Sequence, residues 1–176
     1  MDVVVHETGH KFMANAGWWY PWPDCWTHYM FGENDQQCAW SEGWADFFAM
    51  AVNGDPCFNF KENPCWGTID QDYYNLEVHS RTDNPSIFPW GDGVEGRVAA
   101  TLYDLYDPQN ENYDMVSAGF APISQLALGN VHPFIQFWYL WNISSGQDYL
   151  KSGLAFWWNT VDYANIQQIF LPVVMK

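Results

Sequence analysis

The letters HETGH at residues 6–10 constrain this chain more than any other part of its sequence. His6 and His10 are four positions apart, so on a helix they share a face and can direct two imidazole rings at one metal ion. Glu7 would lie beside them, within reach of a water molecule at that metal. Asp2 can cap a helix before this pattern and Gly17 can end it, which predicts a helix over residues 2–16.

Length and charge limit the classes of protein that need to be considered. At 176 residues the chain is expected to fold as one domain with a real core. Six Lys plus Arg stand against 21 Asp plus Glu, giving a net charge of −15. Because phosphate binding needs clustered cationic side chains, nucleic acid and anionic membranes are not expected as partners. No apolar run is long enough to predict a membrane span.

The four cysteines fall into two short-range pairs without C-x-x-C spacing. We predict two loop-closing disulfides, Cys25–Cys38 and Cys57–Cys65, with four reduced thiols as the alternative. Disulfides imply an oxidising, extracellular compartment. The sequence begins without a signal peptide, so we expect a secreted protein whose natural N-terminus lies further upstream.

The pattern along the chain predicts mostly helix. A second helix is expected over residues 40–53, with Ser41 as its N-cap and Gly54 as its stop. A third is expected over residues 94–106. Four shorter helices are predicted in the later part, over 122–128, 133–144, 147–158 and 162–171. The predicted fold class is therefore mainly α, or α+β when the whole protein is considered.

A catalytic metal needs a third protein ligand and an open position. Met13 and Ala16 occupy the places where a further Gly and His would extend the helical motif, so that extension is excluded. Glu33 lies in a predicted loop, whereas Glu42 opens the second helix and Asp46 follows one turn later. Glu42 is taken as the ligand and Asp46 as the acceptor for the outer N–H of a ligating histidine. The alternative is an ordinary acidic helix face.

With these residues in place, the chain resembles the gluzincin metallopeptidases of the thermolysin-like branch, which carry H-E-x-x-H followed by E-x-x-x-D. The resemblance implies one zinc ion, held by His6, His10 and Glu42, with Asp46 behind a histidine. It implies hydrolysis of a peptide or protein substrate, with zinc activating water and Glu7 acting as the general base.

The chain departs from that family in two ways. A β-sheet normally precedes the H-E-x-x-H helix, and its edge strand binds extended substrate. The stretch between His10 and Glu42 is also longer than in thermolysin-like enzymes. We therefore expect residues 1–176 to form a single zincin-like helical catalytic subdomain, the later part of a larger protein. Its own N-terminal half is a predicted partner.

Two further roles are assigned less sharply. The family usually places a His or Tyr to stabilise the oxyanion of the tetrahedral intermediate, and the sequence does not choose among four candidates. These are His79, His132, Tyr103 and Tyr106, each of which is also a common type of surface residue. A loop rich in oxygen ligands could hold calcium or could simply be solvated. Its residues are Asp107, Asn110, Asn112 and Asp114.

Two functions follow from the sequence. The first is a secreted zinc-dependent peptidase, which the intact Glu7 favours because a structural zinc site needs no general base. The second is a non-catalytic extracellular structural or binding protein that retains a zincin-like zinc site. The absent substrate-binding sheet and the many aromatic residues favour the second.

Overall fold

A computed structural model describes residues 2–17, 25, 28–58, 75–109, 112–129, 131 and 133–163. These residues hold no β-sheet, only isolated bridges between Glu33 and Val94 and between Cys57 and Asn75. They form six α-helices and a short 3-10 helix, Leu76–Val78. The α-helices are α1 (Asp2–Asn15), α2 (Gln36–Asn53), α3 (Glu95–Tyr106), α4 (Phe120–Ala127), α5 (Phe134–Ser144) and α6 (Tyr149–Trp158). The mainly α fold class is confirmed.

Helix α2 is the central element, and every residue over 38–51 is buried. A helix that is apolar nearly all round must be covered on several sides. The predicted start near Ser41 is wrong, because the carboxylate of Asp35 accepts hydrogen bonds from the amides of Gln37 and Cys38 and caps the helix earlier. Ser41 is instead buried inside α2. The predicted stop is confirmed, since Gly54 has the left-handed φ of 66° that favours glycine.

Two glycines let α2 approach its neighbours closely. A Cβ on Gly9 of α1 would lie 3.1 Å from the Cα of Ala45. A Cβ on Gly43 of α2 would lie only 2.6 Å from the carbonyl oxygen of Glu95, at the start of α3. A Cβ at Gly43 would clash with that backbone oxygen, and a Cβ at Gly9 would require its neighbour to shift by a few tenths of an ångström, so α1, α2 and α3 form one tightly packed unit.

The loop before α2 is fixed against the start of α3. The amide of Gly96 donates to the carbonyl of Met30 over 2.6 Å, and the amide of Asn34 donates to the carbonyl of Gly93 over 2.7 Å. The predicted disulfide Cys25–Cys38 is present and ties this loop to the first turns of α2. Residues 28–34 therefore have a defined position beside the first three helices.

Much of the aromatic mass forms the core rather than an outer surface. Trp40 stacks on Phe134 with ring centroids 5.1 Å apart, and its indole N–H donates to the carbonyl of Val131. Phe134 in turn stacks on Phe156 of α6. These aromatic side chains are therefore accounted for by packing inside the protein. The tryptophan-rich stretch 18–24 lies outside the described residues.

The remaining predicted helices agree with the structure to within two residues where it describes them. The third, fifth and sixth are confirmed as α3, α5 and α6, and the helix predicted over 122–128 begins at Phe120 instead. Asp162 and Tyr163 are not helical, and the rest of the stretch predicted over 162–171 lies outside the described residues. None of the described helices has the length and apolar character needed to cross a membrane.

Candidate metal centre

Helices α1 and α2 bring together the three side chains predicted as metal ligands. The Oε2 atom of Glu42 lies 3.2 Å from Nε2 of His6 and 3.0 Å from Nε2 of His10. The two imidazole Nε2 atoms are themselves 3.1 Å apart. In the described part of the chain this is the one group of three or more His, Cys, Asp or Glu side chains whose ligand atoms are close enough to hold a metal ion.

The chemistry of this donor set fits zinc. Zinc takes imidazole nitrogen and carboxylate oxygen at about 2.0–2.2 Å, so neighbouring ligands of a tetrahedral site are separated by roughly 3.3–3.5 Å. The three observed separations of 3.0–3.2 Å are slightly shorter than this. A small outward shift of the side chains would admit the ion. Three protein ligands also leave a fourth position for water or substrate, as a catalytic site requires.

Asp46 takes the position expected for it behind His6. Its Oδ1 accepts a hydrogen bond of 2.8 Å from Nδ1 of His6, and both residues are buried. This bond leaves Nε2 of His6 free to face Glu42 and fixes the tautomer needed for metal binding. His10 differs, since its Nδ1 is buried without a hydrogen-bond partner among the described residues.

The side chains of His6 and Glu42 stabilise opposite charges close together. Burial alone would lower the pKa of His6, but its hydrogen bonds to Asp46 and Glu42 raise that pKa to about 10. Burial alone would raise the pKa of Glu42, but its hydrogen bonds with His10 and His6 lower it to about 2. Without a metal, His6 and Glu42 therefore form an ion pair, and a bound cation would displace the proton from the imidazole of His6.

Glu7 follows His6 on α1, and its side chain is exposed. Unlike the ligand candidates, it is not enclosed between α1 and α2. A carboxylate in this position can receive water and protons from solvent, which the role of general base requires.

Sequence reasoning missed one histidine at this site. Nε2 of His28 lies 3.6 Å from Oε2 of Glu42, and its Nδ1 hydrogen-bonds to Oε2 of Glu95 over 2.9 Å. The hydrogen bond with Glu95 is the main reason that the pKa of His28 rises to about 9. Burial raises the pKa of Glu95 to about 7. His28 lies in a loop and Glu95 is 67 residues away, so no helical spacing relates them.

The structure places the predicted oxyanion candidates as follows. His79 is buried between the rings of Phe31 and Phe88 and hydrogen-bonds to Asp83 over 3.3 Å. Tyr103 is buried in the core, and burial raises its pKa. Tyr106 donates from its hydroxyl to the carbonyl of Ala51. His132 lies outside the described residues.

The other predicted sites are described in part. Asp107 and Asp114 are buried, Asn112 is exposed with a positive φ of 52°, and Asn110 lies outside the described residues. The calcium site therefore stays a prediction. Glu33 forms the bridge to Val94. Cys65 lies outside the described residues, so the pairing Cys57–Cys65 also stays a prediction.

Together the fold and the site define a mainly helical protein in which the ligand atoms of His6, His10 and Glu42 lie close enough to hold a metal ion. The chain belongs to the Mycolysin C-terminal domain family, whose model matches residues 1–158. This membership makes it a relative of the secreted thermolysin- and mycolysin-like metallopeptidases. No curated protein and no solved structure matches the chain.

Proposed function

We propose that this chain supplies the zinc ligands and the general base of a secreted zinc-dependent peptidase. The observation that carries the proposal is the convergence of His6, His10 and Glu42 to within 3.2 Å of one another, with Glu7 as the residue that follows His6 on α1. The family supports the same reading, because its relatives are metallopeptidases. The disulfide Cys25–Cys38 supports an extracellular location.

Each residue has a defined part in the proposed hydrolysis of a peptide bond. His6, His10 and Glu42 would hold the zinc ion, and Asp46 would orient the ring of His6. The bound ion would supply Lewis acidity, which polarises the scissile carbonyl and lowers the pKa of water. Glu7 would accept a proton from the attacking water and pass it to the leaving amine.

The substitution Glu7→Gln tests this assignment. Gln keeps the size of the side chain but cannot take a proton at neutral pH, so the rate of peptide cleavage should fall by about 10²- to 10⁴-fold. Zinc content and melting temperature should barely change, because Glu7 is exposed and is not a ligand. The assay uses the full-length natural protein, with Glu33→Gln as the matched control that should retain full activity.

Two outcomes would count against the proposal. If Glu7→Gln cleaves peptides as fast as the wild type, Glu7 is not the general base. If the wild type binds zinc but cleaves nothing in a broad peptide library, the chain belongs to a non-catalytic extracellular protein with a zincin-like site. Metal analysis of Glu42→Ala separates these cases from a wrong ligand set, because loss of the third ligand should remove zinc.

A further inference from the structure

We propose that Phe58 is a positioning residue of the metal centre, whose aromatic ring holds the imidazole of His6 in place and so increases the affinity of the centre for zinc. The inference rests on the proposed function only through the ligand set of His6, His10 and Glu42. It adds an apolar support that the spacing of the ligands in the sequence does not indicate.

The contact between the two rings is the first observation. The ring centroids of Phe58 and His6 are 5.7 Å apart, and the ring planes are 82° from each other. Aromatic rings favour this edge-to-face arrangement, because the positive edge of one ring lies against the negative face of the other. Phe58 is 5% exposed and His6 is 8% exposed, so the contact is buried and its apolar ring limits the access of water to His6.

The imidazole of His6 needs more than one contact to be held in place. The hydrogen bond from its Nδ1 to Oδ1 of Asp46 fixes one point on the ring, but the ring can still tilt about the line of that bond. A second ring packed at nearly a right angle limits this tilt. The two contacts together keep Nε2 of His6 directed at Oε2 of Glu42, 3.2 Å away.

The backbone that leads to Phe58 is fixed on two sides. The amide of Asp55 donates to the carbonyl of Met50 in the last turns of α2, and the amide of Leu76 donates to the carbonyl of Pro56 over 3.0 Å. Helix α2 also carries the third ligand and the carboxylate behind His6. The element that supplies both carboxylates therefore anchors the segment that places the ring, and a ring on an anchored backbone can hold its neighbour in one orientation.

The two ligand histidines differ in the support they receive. Nδ1 of His10 is buried without a hydrogen-bond partner among the described residues, whereas His6 has both the carboxylate of Asp46 and the ring of Phe58. His6 is thus the ligand whose orientation is set before an ion binds. Because a preorganised group loses less freedom on binding, the loss of this support should weaken zinc binding.

The test is a competition titration of zinc against a chromophoric chelator, with the full-length protein at a fixed pH. Phe58→Leu keeps an apolar side chain but removes the ring, and its dissociation constant for zinc should increase by about 10-fold. Phe58→Tyr keeps the ring and should retain most of the affinity. Phe156→Leu is the matched control, because Phe156 is 1% exposed and its ring packs against Phe134 and Trp138 of α5. Its zinc affinity should equal that of the wild type.

Cobalt(II) in place of zinc gives a second readout, since its visible absorption reports the geometry of the ligands. Phe58→Leu should shift these bands, whereas Phe156→Leu should leave them unchanged. Equal zinc affinity and equal spectra for folded Phe58→Leu and the wild type would overturn the proposal. An equal loss of affinity in Phe58→Leu and Phe156→Leu would also overturn it, because a general loosening of the core would then be the cause.

A further variant covers the case in which Phe58→Leu does not fold, as judged by circular dichroism. Phe58→Met also lacks the ring, but its flexible side chain fills irregular gaps in a core. The same titration and spectra of Phe58→Met then decide the outcome by the same criteria.

The measurements separate this inference from the proposed peptidase function, because they need no substrate. If the wild type binds zinc but cleaves no peptide, the proposed function fails and the zinc titrations still decide the role of Phe58. If the wild type cleaves peptides and Phe58→Leu binds zinc equally well, only the role of Phe58 fails. If the wild type binds no zinc, both fail, because the ligand set is then wrong.

Discussion

The substitution Asp46→Asn should weaken zinc binding without changing the ligand set. Asp46 is 3% exposed and its Oδ1 lies 2.8 Å from Nδ1 of His6. Asn keeps the shape of the side chain and can still accept that hydrogen bond, but it removes the negative charge that makes the imidazole a better donor to the metal. Changes of this kind typically cost about 10- to 100-fold in metal affinity, or about 1.4–2.7 kcal/mol.

The structure favours the upper part of that range. Nδ1 of His10 has no hydrogen-bond partner among the described residues, so in that part of the chain Asp46 is the one carboxylate that orients a ligand histidine from behind. The described residues hold no second pair of this kind that could compensate when the charge is lost. We therefore expect the dissociation constant for zinc to increase by closer to 100-fold than to 10-fold.

The assay is a competition titration of zinc against a chromophoric chelator at a fixed pH. Asp104→Asn is the matched control, because Asp104 is also buried but hydrogen-bonds to Asn159 and not to a histidine of the centre. Its zinc affinity should equal that of the wild type. Equal affinity of Asp46→Asn and the wild type, with both proteins folded by circular dichroism, would refute the reasoning.

Three further changes should alter stability in directions set by the structure. Replacing Cys25 and Cys38 by serine removes a disulfide that spans 13 residues, and a loss of about 3 kcal/mol should appear in chemical denaturation; an unchanged midpoint would contradict it. Gly43→Ala would place a Cβ 2.6 Å from a backbone oxygen, so overpacking of about 1–3 kcal/mol should outweigh a helix-propensity gain of about 1 kcal/mol. The melting temperature of the Gly43→Ala variant should fall below that of the wild type. An increase would show that α2 and α3 can separate freely. Burial raises the pKa of Asp104 well above its usual value, and nearby carboxylates raise it further. The folded state therefore binds that proton more tightly than the unfolded state, and stability is lost as pH rises above about 4 towards the folded pKa. Asp104→Asn should be more stable than the wild type at pH 7 in thermal melts, with a difference that shrinks towards pH 4; a constant difference would contradict it.

The part of the site that lies on helices could be predicted from the sequence. His6 and His10 share a face of α1 because they are four residues apart, and the same spacing relates Glu42 and Asp46 on α2. Helical periodicity fixes these relations before any tertiary contact forms. The geometry of α1 and α2 agrees with them, since the side chains of both pairs converge.

Contacts that depend on how loops dock could not be predicted in the same way. His28 meets Glu95 only because the loop over residues 28–34 hydrogen-bonds to the start of α3. No period in the sequence encodes that contact. The predicted start of α2 is wrong for a different, local reason. Asp35 and Ser41 are both acceptable N-cap residues, and only the observed capping bonds of Asp35 distinguish them.

One signal in the sequence could have predicted how the helices assemble. Glycine costs about 1 kcal/mol relative to alanine inside a helix, so a glycine retained there suggests a close approach of another backbone. Gly9 lies within the H-E-x-x-H stretch, and α2 passes so near that a Cβ would be 3.1 Å from the Cα of Ala45. Ala45 is one turn from Glu42 and next to Asp46. The small residue between the two histidines therefore lets α1 and α2 lie this close, beside the carboxylates that hydrogen-bond to the imidazoles.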